Sequence, residues 1–184
     1  MKKILLIIFV LILSQYNFCQ NKLKVGEKAP KLNITDYLQN VPEDKNFDKK
    51  FMLLEFWATW CTTCLEEVPK LNQMQERFKN QKDLIFVSIT YESPEKTKKT
   101  LERVKFNSIV VSDQTKKALN DFVLDDKGTI ALPKTILIDN KGIIRWIGVP
   151  YTINDTVITK FLEGKEILES DNTISNRPPP PIVK

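Results

Sequence analysis

A Cys-x-x-Cys pair at the point where a strand turns into a helix constrains this 184-residue chain more than any other feature. Residues 51–57, Phe-Met-Leu-Leu-Glu-Phe-Trp, are apolar except for Glu55. Such a run is the profile of a strand covered on both faces, as in a parallel sheet. Residues 58–64, Ala-Thr-Trp-Cys-Thr-Thr-Cys, follow it. Beyond them Leu65, Val68, Leu71, Met74 and Phe78 recur at spacings of three and four, the stripe of a helix. Cys61 therefore meets the unpaired amides and the positive dipole end of that helix, which stabilise a thiolate. Cys64 lies one turn further in, close enough to close a small disulfide ring. The thiolate is the nucleophile in thiol–disulfide exchange, so this position confers reactivity on Cys61, with Cys64 as the buried thiol that resolves.

The bland reading of the pair is a structural bridge. A ring closed over so short a loop adds little stability, and reactivity is the better reason for it. The chain has no histidine, which removes Ser-His-Asp and Cys-His catalysis. Leu65 follows Cys64, so haem attachment of the Cys-x-x-Cys-His kind is excluded. The third cysteine, Cys19, sits far upstream, and two thiols without histidine cannot build a four-ligand zinc site. Net charge is +5, about +3 without Lys2 and Lys3, which is too mild to argue for nucleic acid. The lysines of residues 96–99 read as a solvated helix face.

Glu55 is out of place in its strand. It either escapes to solvent at a strand edge or is buried, and an isolated buried carboxyl raises its pKa until it is neutral. Such an acid beside the cysteines is suited to carry a proton to and from Cys64.

In chain order, residues 1–19 read as a secretory signal peptide: Lys2 and Lys3, then an apolar run at 4–13 too short to span a bilayer comfortably. That places the protein in an exported compartment, periplasm or cell envelope, where disulfides persist. A lipid anchor on Cys19 is the rival, but Tyr16, Asn17 and Phe18 do not suit it. One domain is expected over 20–169. Leu32 and Ile34 suggest a short edge strand, and residues 37–48 a loop with one helical turn. Strand 51–57 and helix 62–80 follow, with Pro69 kinking the helix. Then come strand 84–89, a helix from Pro94 to about 104, strand 109–111, helix 115–122, a turn at 125–128, strand 134–139, a hairpin turn at 140–142, strand 143–147 and helix 154–162 capped by Gly164. This order gives a parallel pair with an antiparallel hairpin added. Residues 170–184, with Pro178 to Pro181, read as a tail that cannot pack a core.

Glu-Phe-Trp-Ala-Thr-Trp-Cys-Thr-Thr-Cys with Pro69 behind it resembles the thioredoxin superfamily, and within it the exported TlpA/ResA-like thiol–disulfide oxidoreductases. Val-Gly-Glu-Lys-Ala-Pro at 25–30 is similar to the entry segment of TlpA-like and peroxiredoxin-like chains. The resemblance implies an α/β thioredoxin fold, a central mixed sheet flanked by helices, with an extra strand–helix insertion between Val104 and Leu124. By that alignment Glu55 falls where the family keeps a buried acid, and Leu132-Pro133 falls at the family's cis-proline, facing the disulfide. The Leu132 backbone would then pair with a substrate peptide, and Trp60 would cover the site and touch partners, while Trp57 is a core residue. Neither metal nor organic cofactor is required. The implied partners are protein disulfide substrates, apocytochrome cysteines among them, and a membrane-bound electron donor if the protein is a reductant. The rivals are a thiol peroxidase, whose Pro-x-x-x-Thr-x-x-Cys arrangement is not met around Cys61, and a binding module whose disulfide is inert.

Overall fold

The computed structural model describes residues 23–123 and 129–172. The expected signal segment 1–19, the turn at 125–128 and the tail from residue 173 onward lie outside the described residues. The strands are β1 (Asp36–Gln39), β2 (Phe51–Phe56), β3 (Leu84–Thr90), β4 (Ile109–Ser112), β5 (Lys134–Ile138) and β6 (Ile144–Gly148). The helices are α1 (Thr62–Arg77), α2 (Pro94–Leu101), α3 (Lys117–Phe122) and α4 (Asp155–Leu162).

The strands form one sheet in the order β1-β4-β3-β2-β5-β6. β2, β3 and β4 run parallel, while β1, β5 and β6 pair antiparallel. The parallel part is thus three strands rather than a pair, because the inserted β4 joins β3 and extends it. β4 and α3 are the strand and helix expected between Val104 and Leu124. Two upstream expectations are corrected. The edge strand is Asp36–Gln39, not Leu32 and Ile34, and no helical turn occurs in 37–48. Leu32 and Ile34 instead pack their side chains against the core, and the backbone pairs with β4 only after them.

β2 is the strand read from the apolar run, and its alternation builds both layers. Met52, Leu54 and Phe56 face a cluster with Val87, Ile89, Ile136 and Phe122, under α3 and the lead-in. Leu53 faces the other cluster, with Leu71 and Met74 of α1 and Ile158 and Phe161 of α4. Fully buried side chains such as Leu53 and Phe161 each contribute roughly 1.5–3 kcal/mol.

Polar bonds fix α1 over this sheet. Arg77 clamps Asp155 at the start of α4 through two bonds of 2.7 Å. Asn72 donates to the Lys105 carbonyl at 2.7 Å and accepts from the Asn107 amide at 2.9 Å. Between β5 and β6, the Gly142 amide donates to the Asp139 carbonyl at 2.8 Å, and the glycine's φ of +77° is a left-handed turn conformation that L side chains rarely adopt. Ser170, Asp171 and Asn172, expected to begin the tail, are held to the body. Asp171 pairs with Lys160 at 2.7 Å, and Asn172 accepts from the Trp146 indole at 2.9 Å.

Candidate active site

Cys61 and Cys64 form a disulfide at the start of α1. Cys61 is the N-cap residue, extended in backbone, and its sulfur accepts from the Cys64 amide at 3.3 Å. The pair follows β2 because Ala58, Thr59 and Trp60 make a tight turn, in which the Cys61 amide donates to the Ala58 carbonyl at 3.0 Å. Helix α1 continues unbroken through Pro69. A proline there removes one amide from the ladder, and burial of Val68, Leu71 and Met74 outweighs that loss.

In the disulfide form Cys61 is buried, as Cys64 is. Cys61 keeps only 5% of its surface. Its sulfur is tied back to Cys64, lies 3.6 Å from the Thr63 hydroxyl, and packs in a cluster with Trp57, Val68 and Phe106. Leu132 and Tyr91 pack on the same cluster, and the Leu132–Pro133 peptide is cis. The structure therefore brings Leu132, from the turn before β5 and far away in sequence, to the cluster that contains the disulfide. Trp57 is a core side chain stacked on Phe106 at 4.7 Å between ring centroids. Trp60 is 58% exposed.

Glu55 lies on the face of β2 that looks toward α1, flanked in register by Ser88 of β3 and Thr135 of β5. It is 3% exposed. Thr135 donates its hydroxyl to one carboxyl oxygen, and the other oxygen has no hydrogen-bond partner among the described residues. Burial pushes its pKa well above the usual carboxylate range. The Thr135 bond opposes the rise, and the Glu67 carboxylate one turn beyond Cys64 adds to it. An acid so placed is neutral where an exposed one is charged, and it lies beneath the first turns of the helix that carries both cysteines.

Three neighbours escaped the sequence reading. Glu92 is buried just past β3. It accepts from the Thr59 amide at 2.5 Å and the Thr59 hydroxyl at 3.0 Å, and it pairs with Lys96. It thereby fixes the turn that presents the cysteines. Tyr91 accepts from the Trp60 indole N–H at 3.0 Å, which holds an exposed aromatic in one orientation. Lys116, at a left-handed φ of 61°, places its ammonium 5.5 Å from the Tyr91 ring centre. The signal available in the sequence was Tyr91-Glu92 directly after a buried strand, since groups at the carboxyl ends of parallel strands converge on sites. No cluster of three or more metal-ligating side chains occurs among the described residues.

This arrangement can store two electrons in a sulfur pair, present one sulfur at a helix N-terminus and move a proton through a buried carboxyl. The likeness to ResA-type chains is borne out by relatives. The thiol-disulfide oxidoreductase ResA of Bacillus thuringiensis subsp. konkukian is 28% identical over 123 residues, 67% of this chain and 68% of that protein. The thioredoxin-like protein YneN of Bacillus subtilis is 27% identical over 144 residues, 76% of this chain and 77% of its own. Among solved structures, the thioredoxin domain of a thiol-disulfide oxidoreductase from Bacteroides vulgatus superposes with a TM-score of 0.58 at 22% identity, covering 78% of this chain and 99% of that one. Mycobacterium tuberculosis AhpC superposes with a TM-score of 0.58 at 15% identity, covering 78% and 93%. These likenesses show the thioredoxin fold. Residues 25–147, from the lead-in through β6, match the AhpC/TSA family as one continuous unit, and the chain belongs to that family.

Proposed function

We propose that the protein is an exported thiol–disulfide oxidoreductase that reduces disulfides in other exported proteins, apocytochrome cysteines awaiting haem being one substrate class. The observation that carries this reading is a disulfide capping α1, the helix packed on the face of β2 that holds the buried Glu55. Relatives named as thiol-disulfide oxidoreductases support it. The leader-like residues 1–19 support export, with a mature chain beginning near Gln20 and a tail after the domain.

In the reduced enzyme the Cys61 thiolate attacks one sulfur of the substrate disulfide. A mixed disulfide forms and the first substrate thiolate leaves. The Cys64 thiol gives its proton to the ionised Glu55 carboxylate and attacks the Cys61 sulfur. The second substrate thiolate leaves and takes up a proton, and two electrons have passed to the substrate. A raised pKa makes the Glu55 carboxylate a stronger base toward the Cys64 thiol than an exposed carboxylate is. Leu132 offers backbone to an extended substrate segment beside the sulfurs, and Trp60, held by Tyr91, covers it. A membrane-bound dithiol donor restores the reduced pair.

Cys64→Ser tests the mechanism. It keeps the attacking thiol and removes the one that ends the encounter, so mixed disulfides accumulate in the cell envelope and identify the substrates by mass spectrometry. Cys61→Ser traps none. If the two variants trap alike, the pair is inert and the protein is a binding module. Family membership and the AhpC-like fold also admit a thiol peroxidase. Consumption of peroxide with a thiol donor, abolished by Cys61→Ser, would establish that second reading.

A further inference from the structure

A concavity of the described residues lies away from the cysteines. It is a groove of about 560 Å³. Met52, at the start of β2, and Ile138, at the end of the antiparallel β5, line it. Cys61 leaves from the other end of β2, so the groove opens at the opposite end of the sheet, and β2 alone separates the two by more than about 13 Å.

Six lysines line it: Lys28, Lys31, Lys45, Lys49, Lys50 and Lys141. Lys50 pairs with Asp83. The other five are exposed, and none has a carboxylate partner among the described residues. Two carboxylates share the lining, Asp48 and Asp139. Asp139 is engaged, accepting at 2.9 Å from the amides of Lys141 and Ile143 and lying 3.7 Å from Arg145. Lys45 and Lys49 hold left-handed φ values of 48° and 58°, a conformation that costs a non-glycine residue energy. The floor is apolar, formed by Leu32, Ile34, Phe47 and Ile138. Leu23 packs on the same apolar cluster.

Lysines without carboxylate partners around an apolar floor, Lys45 among them with its ammonium 4.9 Å from the Tyr37 ring centre, are complementary to an anionic headgroup attached to an acyl chain. We propose that this groove is a docking face for anionic phospholipid, which seats the protein on a membrane with its disulfide pointing away from the bilayer. Charge complementarity together with the apolar floor selects an acylated anion over an acidic protein, whose carboxylates would need no such floor. The inference is independent of the redox chemistry at Cys61.

The test uses the full chain with phosphatidylcholine vesicles, pure or containing phosphatidylglycerol. The leader's Lys2 and Lys3 also favour anionic vesicles, so the groove is read from the change in the partition ratio between the parent and each lysine variant, which share the same leader. The ratio exceeds one, falls at high salt, and drops about fivefold for each lysine removed in Lys31→Gln and Lys141→Gln. Lys98→Gln with Lys99→Gln on α2 leaves it unchanged. Lysine acetylation mapped by mass spectrometry shows Lys28, Lys31, Lys45 and Lys141 protected on phosphatidylglycerol vesicles and Lys98 and Lys99 open. All these lysines are exposed, so circular dichroism of the variants matches the parent. A ratio of one, an equal loss in the α2 pair, or equal protection by soluble glycerol phosphate or an acidic peptide without vesicles overturns the proposal.

Discussion

Two buried carboxyls in this molecule behave oppositely. Glu55 sits in the middle of the sheet with one donor, the Thr135 hydroxyl, and an oxygen without a partner among the described residues. Asp113 sits after β4 with four. The Asn33 amide donates at 2.8 Å, the Thr115 amide at 3.1 Å, the Thr115 hydroxyl at 2.5 Å and the Ala118 amide at 2.7 Å. Burial pushes both pKa values up. At Glu55 it prevails, and at Asp113 the four bonds together outweigh it and hold the carboxyl below its usual range. Burial alone does not set charge; the supply of donors does. Asp113 is wired as a permanent anion that ties the lead-in to α3, and Glu55 is left able to change.

Removing each carboxyl should therefore do different damage. Asp113→Ala orphans two backbone amides and the Thr115 hydroxyl donor and leaves Asn33 only its 3.0 Å bond to Thr115, and about 3 kcal/mol of stability is expected to go. Urea unfolding measures it. Exchange by the molecules that remain folded should be near normal, and a large loss of specific activity there would contradict the division of labour. Glu55→Gln should do the reverse. It keeps the fold but slows resolution of mixed disulfides by about a hundredfold near neutrality, in line with loss of a positioned acid–base group. Rapid-quench kinetics would show it, and an unchanged rate and pH profile would make Glu55 structural only.

The pH dependence of stability sharpens the contrast. Glu55 has a folded pKa above its unfolded value of about 4.3. Between the two, the unfolded chain has already released the proton that the native state retains. Its contribution is therefore intact below the unfolded value and declines as pH rises toward the folded one, by at most about 1.4 kcal/mol per pH unit. Asp113 has a folded value below about 3.9, so its contribution is present above that pH and is lost as pH falls through the folded value. Glu55→Gln should flatten the decline above about pH 4.3 and spare the limb below it. Asp113→Asn should do the opposite, and unfolding series across pH would expose any crossing of these roles. The smallest effect is expected from Thr135→Val. Removing the one donor raises the Glu55 pKa further and moves the pH midpoint of resolution upward, with a rate change under about tenfold. A downward shift would mean that Thr135 does not serve the ionised form.

The cysteine pair, β2 and Glu55 were legible in the sequence because each rests on local pattern: an apolar run, a change of period, a charge where none belongs. The polar edge strand β1, Asp-Tyr-Leu-Gln, was missed because its place is decided by backbone pairing with β4, and no alternation announces that. Glu92 and Lys116 were missed for a related reason. Glu92 matters through Thr59, 33 residues away, and Lys116 through Tyr91, contacts that exist only once β2, β3 and β4 lie side by side. The parallel core of three strands also came from the insertion, which the parallel pair of the sequence reading did not count.

The cap of α1 has one more consequence, for lifetimes. The atom that closes the first turn of the helix is the atom proposed to react. In the disulfide, the Cys61 sulfur receives the Cys64 amide. In the reduced enzyme a thiolate there is a stronger acceptor for the same amide and for the helix dipole. In the proposed mixed disulfide the Cys61 sulfur would be neutral again, as it is in the internal disulfide. On that mechanism the helix start favours the thiolate over either disulfide, so it would make Cys61 a ready leaving group as well as a ready nucleophile, and an encounter that Cys64 does not resolve would reverse quickly.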